Sequence, residues 1–359
     1  MPGTLALTGA GGFLGWHVRV LARALGRPAP VLIGRDDMAS PERLAGLMNG
    51  VDRVVHVAGI NRGEPADVAD GNVTLARQLC AGLRACTTPP KRVAFANSVQ
   101  AGNGTPYGDG KAAAAVLLAE TTRWFGSQFD DVLLPNLFGE HGRPNYNSVI
   151  ATFCRVLADG GRPRVDADRE LDLLHATDAA ALLLGEDAPG TTRRSVRQLA
   201  EQLADFADTY RRGEIPALPD RFDVRLFNTY RSHLVPAAVP LPRHADQRGA
   251  LVEAVKVHGG GGQTFCSSTV PGVTRGQHFH LAKVERFVVV SGEAEIRMRR
   301  VLHDDVVTFR VTGGEPALVD MPAMWAHNIT NVGAGELTTL FWANDLFDPA
   351  HPDTYPEAV

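Results

Sequence analysis

The sequence lacks a long hydrophobic run, since no apolar stretch approaches the roughly 18 residues of a membrane-spanning helix. It also lacks a basic excess, because its formal net charge is −4, so we expect neither a nucleic-acid nor a membrane partner. Its four cysteines form no CxxC pair, which favours reduced thiols over a disulfide framework. The N-terminal MPGTLALTGAGGFLG lacks the basic segment and cleavage site of a signal peptide. These absences predict a cytoplasmic protein.

The length of 359 residues suggests two domains, and the pattern of the chain changes along its course. Up to about residue 180, short apolar runs alternate with amphipathic ones, which predicts a parallel sheet covered by helices on both faces. From about residue 245, short β-type runs are separated by Gly, Asp and Pro, which predicts an all-β sandwich or barrel. We therefore predict an α/β Rossmann domain, a doubly wound parallel sheet, over residues 1–240 and an all-β domain over 246–359. The proline-containing run at 235–249 is predicted to be a semi-rigid linker.

A glycine-rich turn, LTGAGGFLGWH, follows the first predicted strand and precedes a predicted helix. Gly9, Gly12 and Gly15 permit a tight turn, close approach of a pyrophosphate and close packing of helix on strand. The N-terminus of the helix then faces the negative charge of the phosphates. Because a strand precedes the turn and a helix follows it, the motif predicts dinucleotide binding.

The second predicted strand indicates which dinucleotide is bound. NAD-binding domains usually end this strand with an acid that holds the ribose hydroxyls, but here the strand ends LIGRD. Gly34 stands near the acid's place, and Arg35 can hold a 2′-phosphate. We therefore predict NADPH as the cofactor. Asp36 is the alternative, because it would be the acid that holds the ribose hydroxyls if the motif is shifted by two positions.

The segment ANSVQAGNGTPYGDGK carries a candidate catalytic pair. Tyr107 and Lys111 are four residues apart, so on a helix they share a face. A lysine ammonium beside a phenol would lower the pKa of Tyr107 from about 10 and make it a usable proton donor to a carbonyl under reduction. Ser98, at the end of the preceding strand, can hydrogen-bond the same oxygen.

This half of the chain resembles the extended short-chain dehydrogenase/reductase family. The resemblance rests on TGAGGFLG, on HVAG at 56–59, on Asn72 in DGNVTLARQL, and on Ser98, Tyr107 and Lys111, which match the catalytic triad. It implies a set of cofactor-binding residues: Gly9, Gly12, Phe13, Leu14, Arg35, Ala58, Gly59, Asn72 and Lys111. One departure is that only nine positions separate Ser98 from Tyr107, where most extended members have a longer loop.

Two histidines two residues apart, His278 and His280, would point the same way from a strand. Glu285 follows them, and His327 lies on a later predicted strand. Three imidazoles and one carboxylate suit zinc, iron, nickel or manganese. We predict a divalent-metal site at His278, His280, Glu285 and His327, with zinc as the expected ion.

The same stretches resemble the two cupin motifs, which imply a jelly roll with a metal inside. The spacing from Gly272 through His278, His280 and Glu285 to Gly292 matches the first motif. Pro322, His327 and Asn331 match the second, although Met324 stands where a glycine is usual.

The order of the domains and several long stretches, among them LLPNLFGEHGRPNYNSVIATFC, resemble the CapF-type bifunctional enzymes of UDP-N-acetyl-L-fucosamine biosynthesis. The resemblance implies that the cupin inverts carbon 3 of a UDP-2-acetamido-2,6-dideoxy-hexos-4-ulose and that the reductase domain reduces its 4-keto group with NADPH. Cupins often pair through their sheets, so we expect a homodimer. Four residues after the fifth predicted strand are predicted to bind the sugar nucleotide, namely Asn136, Arg143, Asn145 and Asn147. Turn formation is the alternative explanation for the asparagines among them.

Three other functions remain open from the sequence. The chain could be a 4-keto sugar nucleotide reductase whose cupin only supports dimerisation, or a non-catalytic regulator that senses a nucleotide. It could also act on a dTDP sugar in antibiotic glycosylation.

Overall fold

The structure, a computed structural model, describes residues 3–247 and 249–359. The elements up to residue 231 are β1 (Leu5–Thr8), α1 (Phe13–Ala24), β2 (Val31–Ile33), α2 (Arg35–Met38), α3 (Pro41–Met48), β3 (Arg53–His56), α4 (Pro65–Ala85), β4 (Arg92–Ser98), α5 (Pro106–Phe125), β5 (Gln128–Leu134), β6 (Asn136–Phe138), α6 (Val149–Ala158), β7 (Glu170–His175), α7 (Ala176–Leu184), β8 (Thr192–Ser195), α8 (Val196–Arg211) and α9 (Arg221–Arg231).

The later elements are strands. They are β9 (Ala238–Pro240), β10 (Arg243–Asp246), β11 (Gly249–Val252), β12 (Gln263–Thr269), β13 (Thr274–Phe279), β14 (Glu285–Ser291), β15 (Glu293–Arg300), β16 (Val306–Thr312), β17 (Ala317–Met321), β18 (Trp325–Asn331), β19 (Leu337–Ala343) and β20 (Tyr355–Pro356). Within the described ranges, no helix is both long and apolar enough to cross a membrane.

The chain forms two compact units. The first comprises Met1–Phe138, Gly142–Val149 and Arg169–Ser195, and the second comprises Gly139–His141, Ile150–Asp168 and Val196–Val359. Helices α8 and α9, and α6 except its first residue, therefore fall in the second unit. The domain boundary predicted between residues 240 and 246 stays a prediction.

The first unit contains a parallel sheet in the order β2-β1-β3-β4-β5. Its strand order reverses between β1 and β3, which is the switch point where such sheets bind ligands. Helices α3, α4 and α5 bury apolar residues against one face of the sheet, in a core that includes Leu44, Leu79, Val93 and Leu118. Helix α7 contacts β4 and β5 and packs against α1. The doubly wound α/β prediction is confirmed.

The apolar run DDVLLPNLFG, residues 130–139, predicts a single strand from its sequence, and this prediction is wrong in one respect. The segment forms two strands that enter different sheets: β5 pairs with β4, whereas β6 pairs with β7 in a three-stranded sheet with β8. Pro135 lies between them and has no N–H to contribute to a ladder, so the chain can leave the central sheet there.

The second unit contains two five-stranded sheets, β12-β19-β14-β17-β9 and β16-β15-β18-β13-β20. Their pairings are antiparallel, and residues from both sheets form one apolar core that includes Phe287, Ile296, Met298, Ile329 and Phe341. This arrangement is the predicted all-β jelly roll of the cupin type.

The predicted linker at 235–249 is not a linker in the residues that the structure describes. Ala238–Pro240 pairs with β17 as an edge strand, and Arg243–Asp246 pairs with Gly249–Val252. Proline is tolerated at a sheet edge, where one side of the strand needs no ladder hydrogen bonds. Arg248, which the prediction also covered, lies outside the described residues.

Candidate functional site

The turn between β1 and α1 has the geometry that the glycine motif predicts. Gly9 has φ +69°, and a Cβ there would come within 2.7 Å of the backbone nitrogen of Ala58. Gly12 donates its N–H to the carbonyl of Gly9 at 3.0 Å, and α1 begins at the next residues, Phe13 and Leu14. The N-terminus of α1 therefore opens directly after the turn, at the switch point of the sheet, where backbone N–H groups can meet phosphate.

A second loop, after β3, lies against this turn. The N–H of Ala58 donates to the Thr8 hydroxyl at 3.2 Å. Asn72 holds the loop from α4, because its amide donates to the carbonyl of Ile60 at 2.5 Å and accepts the Ile60 N–H at 3.2 Å. A Cβ on Gly59 would lie 3.1 Å from the Asn72 oxygen and 3.4 Å from Lys111 Nζ. The structure thus brings Gly9, Ala58, Gly59, Asn72 and Lys111 together.

Lys111 is a buried cation in this cluster. Its Nζ donates to the carbonyl of Ala96 at 2.8 Å and lies 4.6 Å from the centre of the Phe95 ring. Burial lowers the pKa of Lys111 to about 8, although the nearby Asp131 opposes the shift. His56, stacked on Phe95, has its pKa lowered to about 3 by burial and by the charge of Lys111. The surroundings of Lys111 and His56 therefore favour the neutral form of each side chain.

Ser98 and Tyr107 lie together, at the end of β4 and in the first turn of α5. The predicted lowering of the Tyr107 pKa is wrong: burial raises it, and the hydrogen bond with Ser98 is the opposing influence. The Lys111 ammonium instead reaches the carbonyl of Ala96. A raised pKa keeps the phenol protonated, which is the form that a proton donor requires.

The short loop between these two residues is held by its own hydrogen bonds. Thr105 caps α5 by accepting the Gly108 N–H at 3.1 Å, and its hydroxyl donates to Asn103 at 2.6 Å. The N–H of Gly102 donates to the carbonyl of Gly108 at 2.9 Å, which ties the loop to the helix that it precedes. The nine-position spacing therefore gives a compact turn that fixes Tyr107 relative to Ser98.

Arg35 and Asp36 open the short helix α2 directly after β2, and both are exposed. Their neighbour Asp37 is engaged elsewhere, since its carboxylate accepts the Gly34 N–H at 2.9 Å and pairs with Arg43 at 2.8 Å. Arg35 and Asp36 both remain candidates for reading the ribose, so the preference for NADPH stays a prediction.

Three of the predicted substrate residues, Arg143, Asn145 and Asn147, lie in one segment. Arg62 donates to the carbonyl of Asn145 at 2.5 Å, and Asn147 donates its amide to the carbonyl of Asn61 at 3.1 Å. Asn145 has φ +55°, which fits the turn interpretation, and the Arg143 guanidinium lies 5.1 Å from the Tyr146 ring centre. Asn136 lies on β6, where it donates to the carbonyl of Asp172 at 3.3 Å.

The four predicted metal ligands converge in the second unit. His278, His280, Glu285 and His327 come from β13, the loop after it, β14 and β18, and one potential ligand atom from each lies within 4.8 Å of the others. Glu285 Oε2 is 3.3 Å from His280 Nε2 and 3.4 Å from His327 Nε2. The spacing of the residues in the sequence therefore corresponds to a cluster in space.

The tautomers of two histidines indicate what the cluster can hold. His280 Nδ1 lies 2.5 Å from the carbonyl of Asp353, and His327 Nδ1 lies 3.1 Å from that of Trp325. Each Nδ1 must donate to its carbonyl, so both Nε2 lone pairs face the carboxylate of Glu285. Among the described residues, His327 Nε2 has no hydrogen-bond donor or acceptor. Such converging lone pairs are satisfied by a cation, so the residues fit a divalent metal.

The charge states agree with this fit. Burial and the neighbouring His327 and His280 lower the pKa of His278 to about 3, which keeps its imidazole neutral as a ligand must be. Burial alone would raise the pKa of Glu285, but positive charge beside the carboxylate, as on the imidazoles of His280 and His327 when they are protonated, holds the pKa below its usual value, and a bound cation would act in the same direction. The site therefore presents an ionised carboxylate with a neutral histidine.

A cavity of about 300 Å³ opens onto the cluster. Phe265, Phe287 and Phe341 form part of its wall, with the first and last stacked at 4.9 Å between ring centres. Arg275 and Lys283 also line it. An apolar wall with a few polar and charged groups is typical of a pocket for a small organic molecule.

Asp353 is a site residue that the sequence did not reveal. It binds the ring of His280 from 73 positions away, through its backbone carbonyl. No local spacing marks such a partner, because the cupin motifs end well before it. Phe265 and Arg275 were also missed, since they lie outside the ligand spacing.

Two family models match the chain. Residues 5–185 match the NAD dependent epimerase/dehydratase family, and residues 244–355 match the polysaccharide biosynthesis C-terminal domain. The fold and site thus define a chain in which an epimerase/dehydratase-class Rossmann unit precedes a cupin-type domain.

Relatives along nearly the whole chain narrow this class. The UDP-2-acetamido-2,6-beta-L-arabino-hexul-4-ose reductase of Pseudomonas aeruginosa is 31% identical over 98% of each chain. The crystal structure of the capsular polysaccharide assembling protein CapF from Staphylococcus aureus is 30% identical, with a TM-score of 0.59, and the alignment covers 99% of this chain and 100% of that one. This chain belongs to the CapF-type family.

A more distant structure shows the fold of the first part alone. The UDP-N-acetylglucosamine 4-epimerase from Bacillus cereus is 21% identical, with a TM-score of 0.50, over 57% of this chain and 82% of its own.

Proposed function

We propose that the chain is a bifunctional sugar-nucleotide enzyme that epimerises carbon 3 of a UDP-2-acetamido-2,6-dideoxy-hexos-4-ulose and then reduces its 4-keto group. The observation that supports the proposal is that two candidate chemical sites occur in one chain. Ser98 and Tyr107 share a hydrogen bond, Lys111 follows Tyr107 by four residues on α5, and four metal-type ligands converge in the jelly roll. The 31% identity to a reductase named for a hexul-4-ose supports the substrate class.

In the reductase unit, Gly9, Gly12 and the N-terminus of α1 bind the cofactor pyrophosphate, and Ala58, Gly59 and Asn72 shape the adjoining pocket. The cofactor, predicted to be NADPH, supplies a hydride to carbon 4 when bound. Tyr107 donates its phenolic proton to the carbonyl oxygen, and Ser98 hydrogen-bonds the same oxygen. Asn136, Arg143, Asn145 and Asn147 are proposed to contact the sugar nucleotide.

In the cupin, His278, His280, Glu285 and His327 would hold a divalent cation, with zinc as the expected ion. Such a cation supplies Lewis acidity to the 4-keto oxygen when bound, which acidifies the hydrogen on carbon 3. The aromatic wall of the cavity can pack against the sugar, and Arg275 and Lys283 offer donors to its oxygen atoms.

The order of the two reactions explains why they share a chain. Removal and return of a proton at carbon 3 is reversible while the ketone persists. Reduction at carbon 4 removes the ketone and so stops the exchange. A reductase after the epimerase therefore draws the equilibrium toward one product. The homodimer and the cytoplasmic location stay predictions beside this proposal.

The test is to incubate the full chain with the UDP-4-keto sugar in deuterium oxide and follow carbon 3 by NMR. We expect the wild type with NADPH to give a reduced, carbon-3-inverted product carrying deuterium at carbon 3. Tyr107→Phe should still exchange carbon 3 but reduce the ketone about 10²- to 10⁴-fold more slowly, which is the usual contribution of a general acid. His327→Ala should lose the exchange.

His351→Ala is the matched control, because His351 is exposed and its ring bonds Asp348 in its own loop at 3.0 Å. It should behave as the wild type. Reduction without deuterium in the wild type would mean a reductase with a non-catalytic cupin. Cofactor binding without turnover of either a UDP or a dTDP substrate would mean that the chain is a regulator. Turnover of the dTDP substrate alone would mean that the substrate is a dTDP sugar and not a UDP sugar.

A further inference from the structure

The last residues of the chain form a strap, residues 348–359, along the strand that carries the first metal ligand. Tyr355 pairs with Phe279, and Pro356 pairs with His278. The N–H of Glu357 donates to the carbonyl of Gln277 at 2.9 Å. This C-terminal strap therefore runs beside β13 where the HxH pair lies.

Within the strap, the side chain of Asp353 binds three successive backbone N–H groups. Its Oδ1 accepts from Leu281 at 2.8 Å, and its Oδ2 accepts from Ala282 at 2.9 Å and from Lys283 at 2.7 Å. These residues form the loop between His280 and Glu285. The carboxylate thus sets the path of the chain that separates two of the candidate ligands, through charge-assisted hydrogen bonds.

The backbone of Asp353 acts on the site as well. Its carbonyl lies 2.5 Å from His280 Nδ1, which fixes the ring orientation and directs Nε2 toward Glu285. Asp353 has φ +40°, a left-handed conformation that an aspartate tolerates better than most residues. One residue therefore fixes both the imidazole and the loop that leads to the carboxylate.

We propose that Asp353 is a positioning residue of the metal centre, which holds His280 and Glu285 in the ligating arrangement before the ion arrives. The inference rests on the proposed metal site but assigns a role outside its four ligands. Partners that orient a ligating histidine typically contribute about 10- to 100-fold to metal affinity. Within the strap, Asp353 is accordingly the residue that we assign to the metal centre.

Two substitutions separate the contributions of Asp353. Asp353→Gly removes the carboxylate but keeps the backbone carbonyl, and glycine accepts the positive φ without strain. Asp353→Asn keeps one acceptor oxygen of nearly the same size. Asp348→Asn is the matched control in the same strap, because Asp348 accepts from the Ala350 N–H at 2.9 Å and bonds the His351 ring at 3.0 Å, both within the strap.

The measurement is the zinc dissociation constant of the full chain, by competition with a chromophoric chelator. We expect Asp353→Gly to bind zinc about 10- to 100-fold more weakly, Asp353→Asn to fall in between, and Asp348→Asn to match the wild type. The visible spectrum of the cobalt-substituted protein should change in Asp353→Gly but not in Asp348→Asn, since it reports the ligand geometry.

Thermal unfolding separates a positioning role from a merely structural one. A structural role would lower the unfolding midpoint equally with and without zinc, whereas a positioning role reduces the increase that zinc produces. Wild-type zinc affinity in Asp353→Gly would overturn the inference and leave the metal site intact. Failure of the wild type to bind zinc would overturn the metal site itself.

Discussion

Lys111 shows how a predicted catalytic residue can cost stability. It is 6% exposed, and its pKa is lowered from 10.5 to about 8, mainly by burial. Between these two values the unfolded chain binds more protons than the folded one, so this residue makes stability rise with pH from about 8 toward 10.5. At pH 7 the buried charge is fully present and costs on the order of 3 kcal/mol.

Replacing this lysine should therefore stabilise the protein while abolishing reduction. Lys111→Met should raise the free energy of unfolding at pH 7 by about 1–2 kcal/mol, because the loss of the bond to Ala96 offsets part of the gain. The advantage should shrink between pH 8 and 10, as measured by urea unfolding. Lys91→Met, at an exposed lysine, serves as the control. A difference that stays constant across this range would refute the prediction.

We predict that the choice of cofactor depends on two adjacent residues, Arg35 and Asp36. A guanidinium bound to a 2′-phosphate contributes about 1.5–3 kcal/mol, so Arg35→Ala should raise the KM for NADPH about tenfold or more and leave that for NADH unchanged. Asp36→Ala should change neither. Initial rates with both cofactors decide the question, and a selective rise in the NADH KM of Asp36→Ala would favour the alternative register.

At the scale of the elements, we predict that the loop between β4 and α5 sets the geometry of reduction. Thr105→Val removes the cap on Gly108 and the bond to Asn103 with little change of shape, so it should cost about 1 kcal/mol of stability. It should also lower kcat for reduction, because Tyr107 lies in the turn that the cap fixes.

Ser40→Ala is the matched control, since Ser40 caps α3 by accepting the Arg43 N–H at 3.3 Å. It should lower the thermal unfolding midpoint by a similar amount and leave kcat unchanged. An equal loss of kcat in both variants would mean that the cap of α5 acts only through general stability.

Local sequence patterns predicted those elements and sites whose residues lie close together along the chain. The turn at Gly9 and the pair His278 and His280 are examples, because each depends on a few consecutive residues. The convergence of His327 with them followed from the spacing of a known motif.

Features that depend on distant partners could not be predicted in the same way. The sheet that β6 joins is decided by β7, and the edge strand β9 depends on β17, so the break at Pro135 and the pairing of the supposed linker were missed. The pKa of Tyr107 depends on burial, which the spacing of Tyr107 and Lys111 does not report. Asp353 contacts the ligand loop from about 70 residues away, with no pattern to mark it.

At the scale of the whole molecule, two chemical sites are supported by separate sets of residues. The glycine turn, Asn72 and Lys111 belong to the first compact unit, whereas the metal ligands and Asp353 belong to the second. Each unit has an apolar core of its own. A reagent that acts on one set of residues should therefore leave ligand binding at the other set unchanged.

Metal removal tests this separation in the intact chain. After treatment with a chelator and its removal, deuterium exchange at carbon 3 should be lost, because neutral imidazoles and one carboxylate cannot supply the Lewis acidity that the reaction needs. The dissociation constant for NADPH, measured by the fluorescence of NADPH, should stay within about twofold of its value in the untreated protein. The reason is that a bound ion stabilises only the part of the protein that it contacts. Zinc should restore exchange, whereas magnesium should not, because imidazole ligands suit zinc and magnesium prefers oxygen. Exchange that persists in the metal-free chain would show that the cupin works without its ion, and a parallel loss of NADPH binding would show that the two sites depend on each other.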